Sequence, residues 1–425
     1  MKVLHIITGL GVGGAERQLQ TLLRRLPARC EVVTLAGSGP VAEALRADGV
    51  PVRDLGMRGN RDLRALPRLV RHIRRGRYDI VHTHLYRACV YGRTAARLAG
   101  VRAVVATEHS LGAQEIEGRP LRRTTRALYR ATERLGAATV AVSPTVAGRL
   151  AGWGIPENRI VVIPNAIDPA RFRFAPAARR VVRQRLGLDP DAFVLAGVGR
   201  LVPGKRFDLL VRAAARLPQV RVVLAGEGPE AEALRRLAAG LGVADRVRLV
   251  GECGGPGVAG LLSAADLFVS CSPEETFGVA VLEALAAGLP VLYAACPAVE
   301  DLPPGEAPGA RRTDPDPEAL AAAVRRELAA GPRRLPVPPA VHRYGVAAAA
   351  DRLMRLYTGL HTTVAADPAP GARTGTAARP AAPRPPVPSA PVLSPLPPPF
   401  PSPSPGPEPP RSPAPSQPTG GGRTR

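Results

Sequence analysis

The stretch from Asp266 to Pro290, DLFVSCSPEETFGVAVLEALAAGLP, limits the fold more tightly than any other part of the chain. Leu267 to Cys271 is an apolar run of strand length, and the polar loop after it contains Pro273. A helix is predicted from about Gly278 to Ala287, since apolar and small residues run without a breaker until Gly288. Gly288 suits a left-handed helix stop, and Pro290 opens the next apolar run, Val291 to Ala295. Strand, helix and strand at this spacing predict a βαβ unit of a parallel sheet, where ligands collect at the carboxyl ends of strands. The helix starts with small residues whose backbone N–H groups have no partner within the helix. Those donors, together with the helix dipole, suit a phosphate. Glu275 stands in the loop and Glu283 more than one turn into the helix. The two carboxylates therefore reach different parts of one ligand instead of chelating one ion.

The rest of the chain repeats this α/β pattern. Residues 3–8 predict a first strand, followed by Gly9-Leu10-Gly11-Val12-Gly13-Gly14 and a helix from Ala15 to about Leu26. The glycines satisfy the Gly-x-Gly-x-x-Gly spacing of a dinucleotide loop, but that reading needs an acid at the end of the second strand. The second strand, predicted at 31–36, carries Glu31 at its wrong end, so the glycines are read as allowing close backbone approach to some other ligand. Further strands are predicted at 79–82, 103–107 and 138–143, with a helix from about Tyr91 to Leu98. The 103–107 strand ends in Glu108-His109-Ser110, a position from which a side chain enters a cleft. His82 and His84 are two residues apart with no acid or cysteine nearby, a poor metal site, and receive no role.

A second doubly wound sheet opens with the apolar run 193–199 and continues with strands at 220–225 and 247–250. Arg200 offers a planar donor fork and Lys205 a point charge, a sensible pair for a diphosphate. Lys2 and Lys205 are the chain's lysines, which sets Lys205 apart from a general surface base. Asp314-Pro315-Asp316 imitates a metal-binding Asp-x-Asp but precedes Pro317-Glu318-Ala319, and is read as a helix cap. A helix from Val346 to about Leu360 is the last predicted folded element, and from Asp367 onward the chain is Pro, Ala, Ser and Arg with scarcely an apolar anchor.

Glu275 and Glu283, with Phe277-Gly278-Val279 between them, resemble the Glu-x7-Glu motif of retaining glycosyltransferases of two-domain GT-B architecture, family 4 in particular. Other segments resemble that family in the expected order: Gly13-Gly14-Ala15-Glu16, His109, Pro164-Asn165-Ala166-Ile167-Asp168 and Arg200 with Lys205. Two departures stand out, Ala166 for the usual Gly and Cys296-Pro297 where the family shows Gly-Gly. The resemblance implies two Rossmann-like domains facing a cleft: an acceptor-side domain over 1–165 and a nucleotide-sugar domain over 166–340. A helix over 341–362 would return to the first domain, and 363–425 would be a disordered Pro-rich tail. It implies that Glu275 holds donor-sugar hydroxyls, Glu283 the ribose, and Arg200 with Lys205 the diphosphate. The turn at Phe277, Gly278 and Val279 would bind phosphate, Gly13 and Gly14 would close over the donor, and His109 would contact the sugar near the reacting carbon. The implied reaction moves a sugar from a nucleotide sugar to a hydroxyl acceptor, in cell-envelope glycan or glycolipid synthesis, with no metal and no cofactor. A same-fold epimerase or phosphorylase, or a non-catalytic nucleotide- or carbohydrate-binding relative, stays open. So do the base, the sugar, the acceptor and the oligomeric state.

Composition narrows the surroundings. A chain of 425 residues exceeds one core, and 45% hydrophobic with 4% aromatic residues implies cores of Ala, Val and Leu. No run of eighteen apolar residues occurs, and the start reads as a core strand, not a signal peptide. Five cysteines without metal spacing read as reduced thiols of a cytoplasmic protein. The net charge of +23 comes almost wholly from arginine. A bias to arginine along the whole chain accounts for most of it, and nucleic acid is not expected as a partner. Residues 64–77 and 119–134 gather arginines into basic faces of the first domain, and 64–77 predicts an amphipathic helix. An anionic membrane surface, and a peripheral place on the inner face of the plasma membrane, follow as expectations.

Overall fold

The computed structural model describes residues 1–59, 62–117 and 119–366. The stretch 367–425, where most of the predicted disordered tail falls, lies outside the described residues. Seven parallel strands form the first sheet: β1 (Lys2–Ile7), β2 (Arg29–Thr34), β3 (Val52–Asp54), β4 (Ile80–His84), β5 (Val104–Glu108) and, beyond a hairpin of β6 (Glu115–Ile116) and β7 (Arg119–Pro120), β8 (Ala138–Ala141) and β9 (Ile160–Val162). Their order is β3-β2-β1-β4-β5-β8-β9. The second sheet has six parallel strands, β10 (Phe193–Val198), β11 (Val220–Ala225), β12 (Val247–Leu249), β13 (Leu267–Ser270), β14 (Val291–Tyr293) and β15 (Ala310–Arg312), ordered β12-β11-β10-β13-β14-β15. In each sheet the order reverses beside the first strand, between β1 and β4 and between β10 and β13. Those are the switch points outside which a crevice opens.

Helices cover both faces. The first sheet carries α1 (Gly14–Leu23), α2 (Pro40–Ala47), α3 (Ala65–Gly76), α4 (Tyr86–Leu98), α5 (Arg123–Glu133) and α6 (Pro144–Gly152). The second follows α7 (Pro176–Arg185) and carries α8 (Phe207–Ala215), α9 (Ala231–Gly240), α10 (Gly255–Ala264), α11 (Val279–Ala286), α12 (Pro297–Glu300), α13 (Pro317–Ala329) and α14 (Pro339–Arg343). Burial on both faces explains why β4 and β5 are fully buried along their length and show no polar alternation. The last helix, α15 (Val346–Ala366), packs on the first sheet through Val346, Ala349, Leu353 and the fully buried Tyr357. It runs past Leu360, into the stretch predicted as tail.

The boundaries that differ from expectation have local causes. α1 stops at Leu23, short of Leu26, because Leu26 precedes Pro27 and that position disfavours the helical conformation. β2 begins at Arg29, ahead of Glu31, since its pairing with β1 starts at Lys2. α4 begins at Tyr86 instead of about Tyr91, because Leu85 takes a φ of 73° and turns the chain directly from strand into helix. Asp316 caps α13, accepting at 2.9 Å from the N–H groups of Glu318 and Ala319. Asp266, which precedes β13, is buried and ties α7 to the second sheet. It pairs with Arg179 and Arg183, each at 2.7 Å, and accepts from Val194 N–H at 2.8 Å.

Candidate active site

The carboxyl ends of β10 and β13 face the first domain across a cleft of about 720 Å³. Gly13, Gly14, His109, Arg200, Lys205, Glu275, Phe277, Gly278, Val279 and Glu283 all line it. The loop after β13 is fixed before the helix begins: Ser272 Oγ lies 2.7 Å from the carbonyl oxygen of Glu274 and 3.1 Å from that of Gly204. That contact holds it against the loop carrying Lys205, whose Nζ pairs with Glu275. Gly278 then caps α11 with φ 97°, a left-handed conformation a side chain rarely adopts. A Cβ there would stand 2.5 Å from Cys296 Sγ. The Cys296 thiol, at the first of the two positions where the family shows Gly-Gly, thus fills the space beneath the turn at Phe277, Gly278 and Val279. Burial holds Cys296 protonated, and Pro297 starts α12. Phe277 is buried in an edge contact with Tyr344, centroids 5.0 Å apart.

Glu283 lies in the cleft on α11. Burial raises its carboxyl to about 7, while Arg17 and Arg171 pull it down. Arg17 comes from the other domain: it sits in the first turn of α1, and its guanidinium donates to the carbonyl of Cys253. Gln18 beside it exchanges two hydrogen bonds with the backbone of Ala166, at 2.7 and 2.8 Å. The residue replacing the family glycine is therefore held in place by side-chain contacts.

A second set of contacts clasps the domains together around His109. Thr276 Oγ1 donates to the His109 carbonyl at 2.7 Å, and Ser143 Oγ donates to the Thr276 carbonyl at 2.7 Å. Glu274 accepts from Ala113 N–H and pairs with Arg149 at 2.8 Å. The His109 ring is buried, which lowers it to about 4, with the Asn165 side chain opposing that shift. It is neutral at neutral pH. Sequence reasoning missed Arg17, Ser143, Glu274 and Thr276. Each acts across the domain boundary, where neither periodicity nor spacing signals a partner. It also missed what surrounds His109: His84 Nδ1 stands 3.2 Å from His109 Nε2, and His5 Nδ1 3.1 Å from His84 Nε2.

Two facing doubly wound sheets with ligand-directed groups on both walls define the GT-B class of glycosyltransferases. Solved structures of that class have the same fold. HepE of Anabaena, determined in complex with UDP, superposes with a TM-score of 0.72 at 23% identity, covering 84% of this chain and 100% of that one. Sucrose-phosphate synthase from Thermosynechococcus elongatus gives 0.69 at 23%, covering 85% and 100%. The family model for glycosyltransferase family 4 matches residues 12–171, and that for glycosyl transferases group 1 matches 178–335. The D-inositol 3-phosphate glycosyltransferase of Geodermatophilus obscurus is 32% identical over 331 residues, 72% of each chain. Its Catenulispora acidiphila counterpart is 32% identical over 359 residues, 75% of this chain and 82% of that one. The match to the Actinosynnema mirum protein of the same name is 36% over 243 residues, spanning 57% of that relative. The chain belongs to glycosyltransferase family 4 and is a glycosyltransferase.

Proposed function

We propose that the protein transfers a sugar from a nucleoside-diphosphate sugar to a hydroxyl acceptor with retention of anomeric configuration. One observation carries the reading. Arg200, Lys205 and the start of α11 meet at the switch point of the second sheet, with Glu275 and Glu283 in the same cleft and His109 on its other wall. Positive donors and a helix N-terminus gathered at one crevice suit a diphosphate leaving group. An incoming diphosphate gives Lys205 a second anionic partner and releases Glu275 to bind sugar hydroxyls. Glu283, half-buried beside Arg17 and Arg171, accepts from the ribose. The leaving diphosphate serves as base toward the acceptor, so the protein mainly stabilises developing charge and excludes water. The Arg17, Thr276 and Glu274 contacts across the boundary support the second task.

UDP sugars are the first donors to test, because HepE was solved with UDP and UDP-glucose. D-inositol 3-phosphate, in the name of several relatives, is the first soluble acceptor. A lipid-linked acceptor at an anionic membrane, as in envelope glycan or glycolipid synthesis, is supported by the outer surface of the first domain. Arg64, Arg68, Arg71, Arg74 and Arg75 in and beside α3 are exposed, as are Arg122, Arg123, Arg130 and Arg134 in and beside α5, with Leu63 and Leu128 among them. Each such cation contributes about 1 kcal/mol near an anionic surface. No helix of the described residues is long and apolar enough to cross a membrane. The deciding assay measures nucleoside diphosphate release from UDP, GDP and ADP sugars with and without acceptor. Acceptor-dependent release supports transfer. Epimerised donor, or tight binding without turnover, supports the competing readings instead.

A further inference from the structure

The loop that carries Glu275 is held from both walls of the cleft. Ser272 Oγ, 3.1 Å from the carbonyl oxygen of Gly204, keeps the start of the loop on the second domain, and Glu275 itself pairs with Lys205 there. Its two sequence neighbours turn the other way. Glu274 Oε1 accepts from Ala113 N–H and pairs with Arg149 at 2.8 Å. Thr276 Oγ1 donates to the His109 carbonyl at 2.7 Å, and the Thr276 carbonyl accepts from Ser143 Oγ at 2.7 Å. The side chains of 274, 275 and 276 thus alternate between the first domain, the second and the first again.

The partners in the first domain are themselves fixed. Ser143 caps α6, its Oγ accepting from Val146 N–H at 3.1 Å while it donates to Thr276. Arg149 lies four residues after Thr145 on α6, so both share one face of that helix. Thr145 Oγ1 stands 3.4 Å from both carboxylate oxygens of Asp301, beyond α12 of the second domain. Arg149 also donates to the Leu111 carbonyl at 2.7 Å. That bond draws α6, the loop after β5 and Glu274 into one junction. The side chains of Arg149 and Glu274 are 21% and 35% exposed, and ion pairs this open to solvent add little to stability. Their effect lies in where they hold the loop. With residues on either side of it tied to the first domain, the backbone at Glu275 cannot turn without breaking a contact at one neighbour or the other.

We propose that Glu274 and Thr276 are positioning residues that set Glu275 from the first domain, so that the donor sugar is gripped only when the two domains meet. Sugar recognition is then conditional on closure, and an open enzyme holds the nucleotide without presenting its sugar to water. The inference rests on the reading of Glu275 as the sugar-binding acid.

The test is a double-mutant cycle on the full chain. The probes are whichever UDP, GDP or ADP sugar turns over fastest and its plain nucleoside diphosphate, each titrated by calorimetry. In Thr276→Val, which keeps the shape and loses the donor, the ratio of sugar-nucleotide Kd to plain-nucleotide Kd should rise about tenfold, the order of one lost hydrogen bond. Glu274→Ala, at a half-exposed position, should act in the same direction, and Thr276→Ser should restore the wild-type ratio. Glu275→Ala should raise the ratio as well, and adding Thr276→Val to it should raise it no further, because both act through one carboxylate. A wild-type ratio in folded Thr276→Val and Glu274→Ala overturns the inference. So do effects of Thr276→Val and Glu275→Ala that multiply in the double variant, or an equal loss of plain-nucleotide affinity in Thr276→Val. An unchanged ratio in Glu275→Ala alone removes the reading of that acid, and this inference with it. No turnover with any of the nucleotide sugars does the same.

Discussion

Glu283 offers the sharpest pH test of the donor site. Its carboxyl is raised to about 7 by burial, with Arg17 and Arg171 as the charged groups that oppose the shift. If ribose hydroxyls donate to it, the free enzyme binds donor well only when Glu283 is ionised. A group with a pKa near 7 is ionised to roughly 0.1 at pH 6 and roughly 0.9 at pH 8. The kcat/KM for the sugar nucleotide, which reports the free enzyme, should therefore rise about tenfold across that interval. The donor's own diphosphate does not titrate there. Glu108, also raised to about 7 by burial, does, so the variant decides the assignment. Glu283→Gln keeps one acceptor oxygen and loses the charge. It should flatten the rise and lower kcat/KM at pH 8 about tenfold, the gap of about 1–2 kcal/mol between a charged and a neutral hydrogen bond. The sign extends to folding. A carboxyl raised in the folded state holds more protons there than when unfolded, so stability falls as pH climbs from the ordinary carboxyl range through 7. Glu283→Gln should accordingly melt higher than the wild type at pH 8 without nucleotide. An unchanged pH rise in the variant would refute the role given to Glu283.

Lys205→Ala removes a cation from the phosphate crevice and should lose about two to three orders of magnitude in turnover while staying folded, measured by initial rates and circular dichroism. Calorimetry should separate the two acids: Glu283→Ala weakens plain nucleoside diphosphate, whereas Glu275→Ala weakens chiefly the sugar nucleotide. Gly278→Ala forces a left-handed alanine, about 1–2 kcal/mol, against Cys296 Sγ. Its donor KM should rise at least tenfold, and Cys296→Gly in the same chain should recover part of that, since only the clash is relieved. Vesicle sedimentation at low salt should retain the protein on anionic but not neutral lipid, and equal, negligible binding to both would remove the membrane expectation.

How much of this was legible follows the range of each interaction. The βαβ unit at 267–293 is spelled out locally by its apolar runs, Gly278 and Gly288, and the structure has both glycines left-handed. The parallel order of both sheets follows from such units repeated. What the sequence hides is contact between distant segments. Arg17 and Cys253 are 236 positions apart, and His82 and Tyr357 are 275 apart. His82 and His84, dismissed by spacing, gain meaning only once β1 brings His5 beside them. Cys296 reads in the sequence only as a departure from Gly-Gly, because nothing local places its thiol under Gly278.

The central claim, transfer with retention from a nucleotide sugar, is tested most directly by one-dimensional proton NMR of the reaction as it runs. The full chain is supplied with an α-linked UDP sugar and acceptor, and the anomeric coupling of the first product formed is read. The account predicts a small, α-type coupling in the product, appearing in step with released UDP and absent from Lys205→Ala. A β-configured product, or UDP released at the same rate without acceptor, would contradict it.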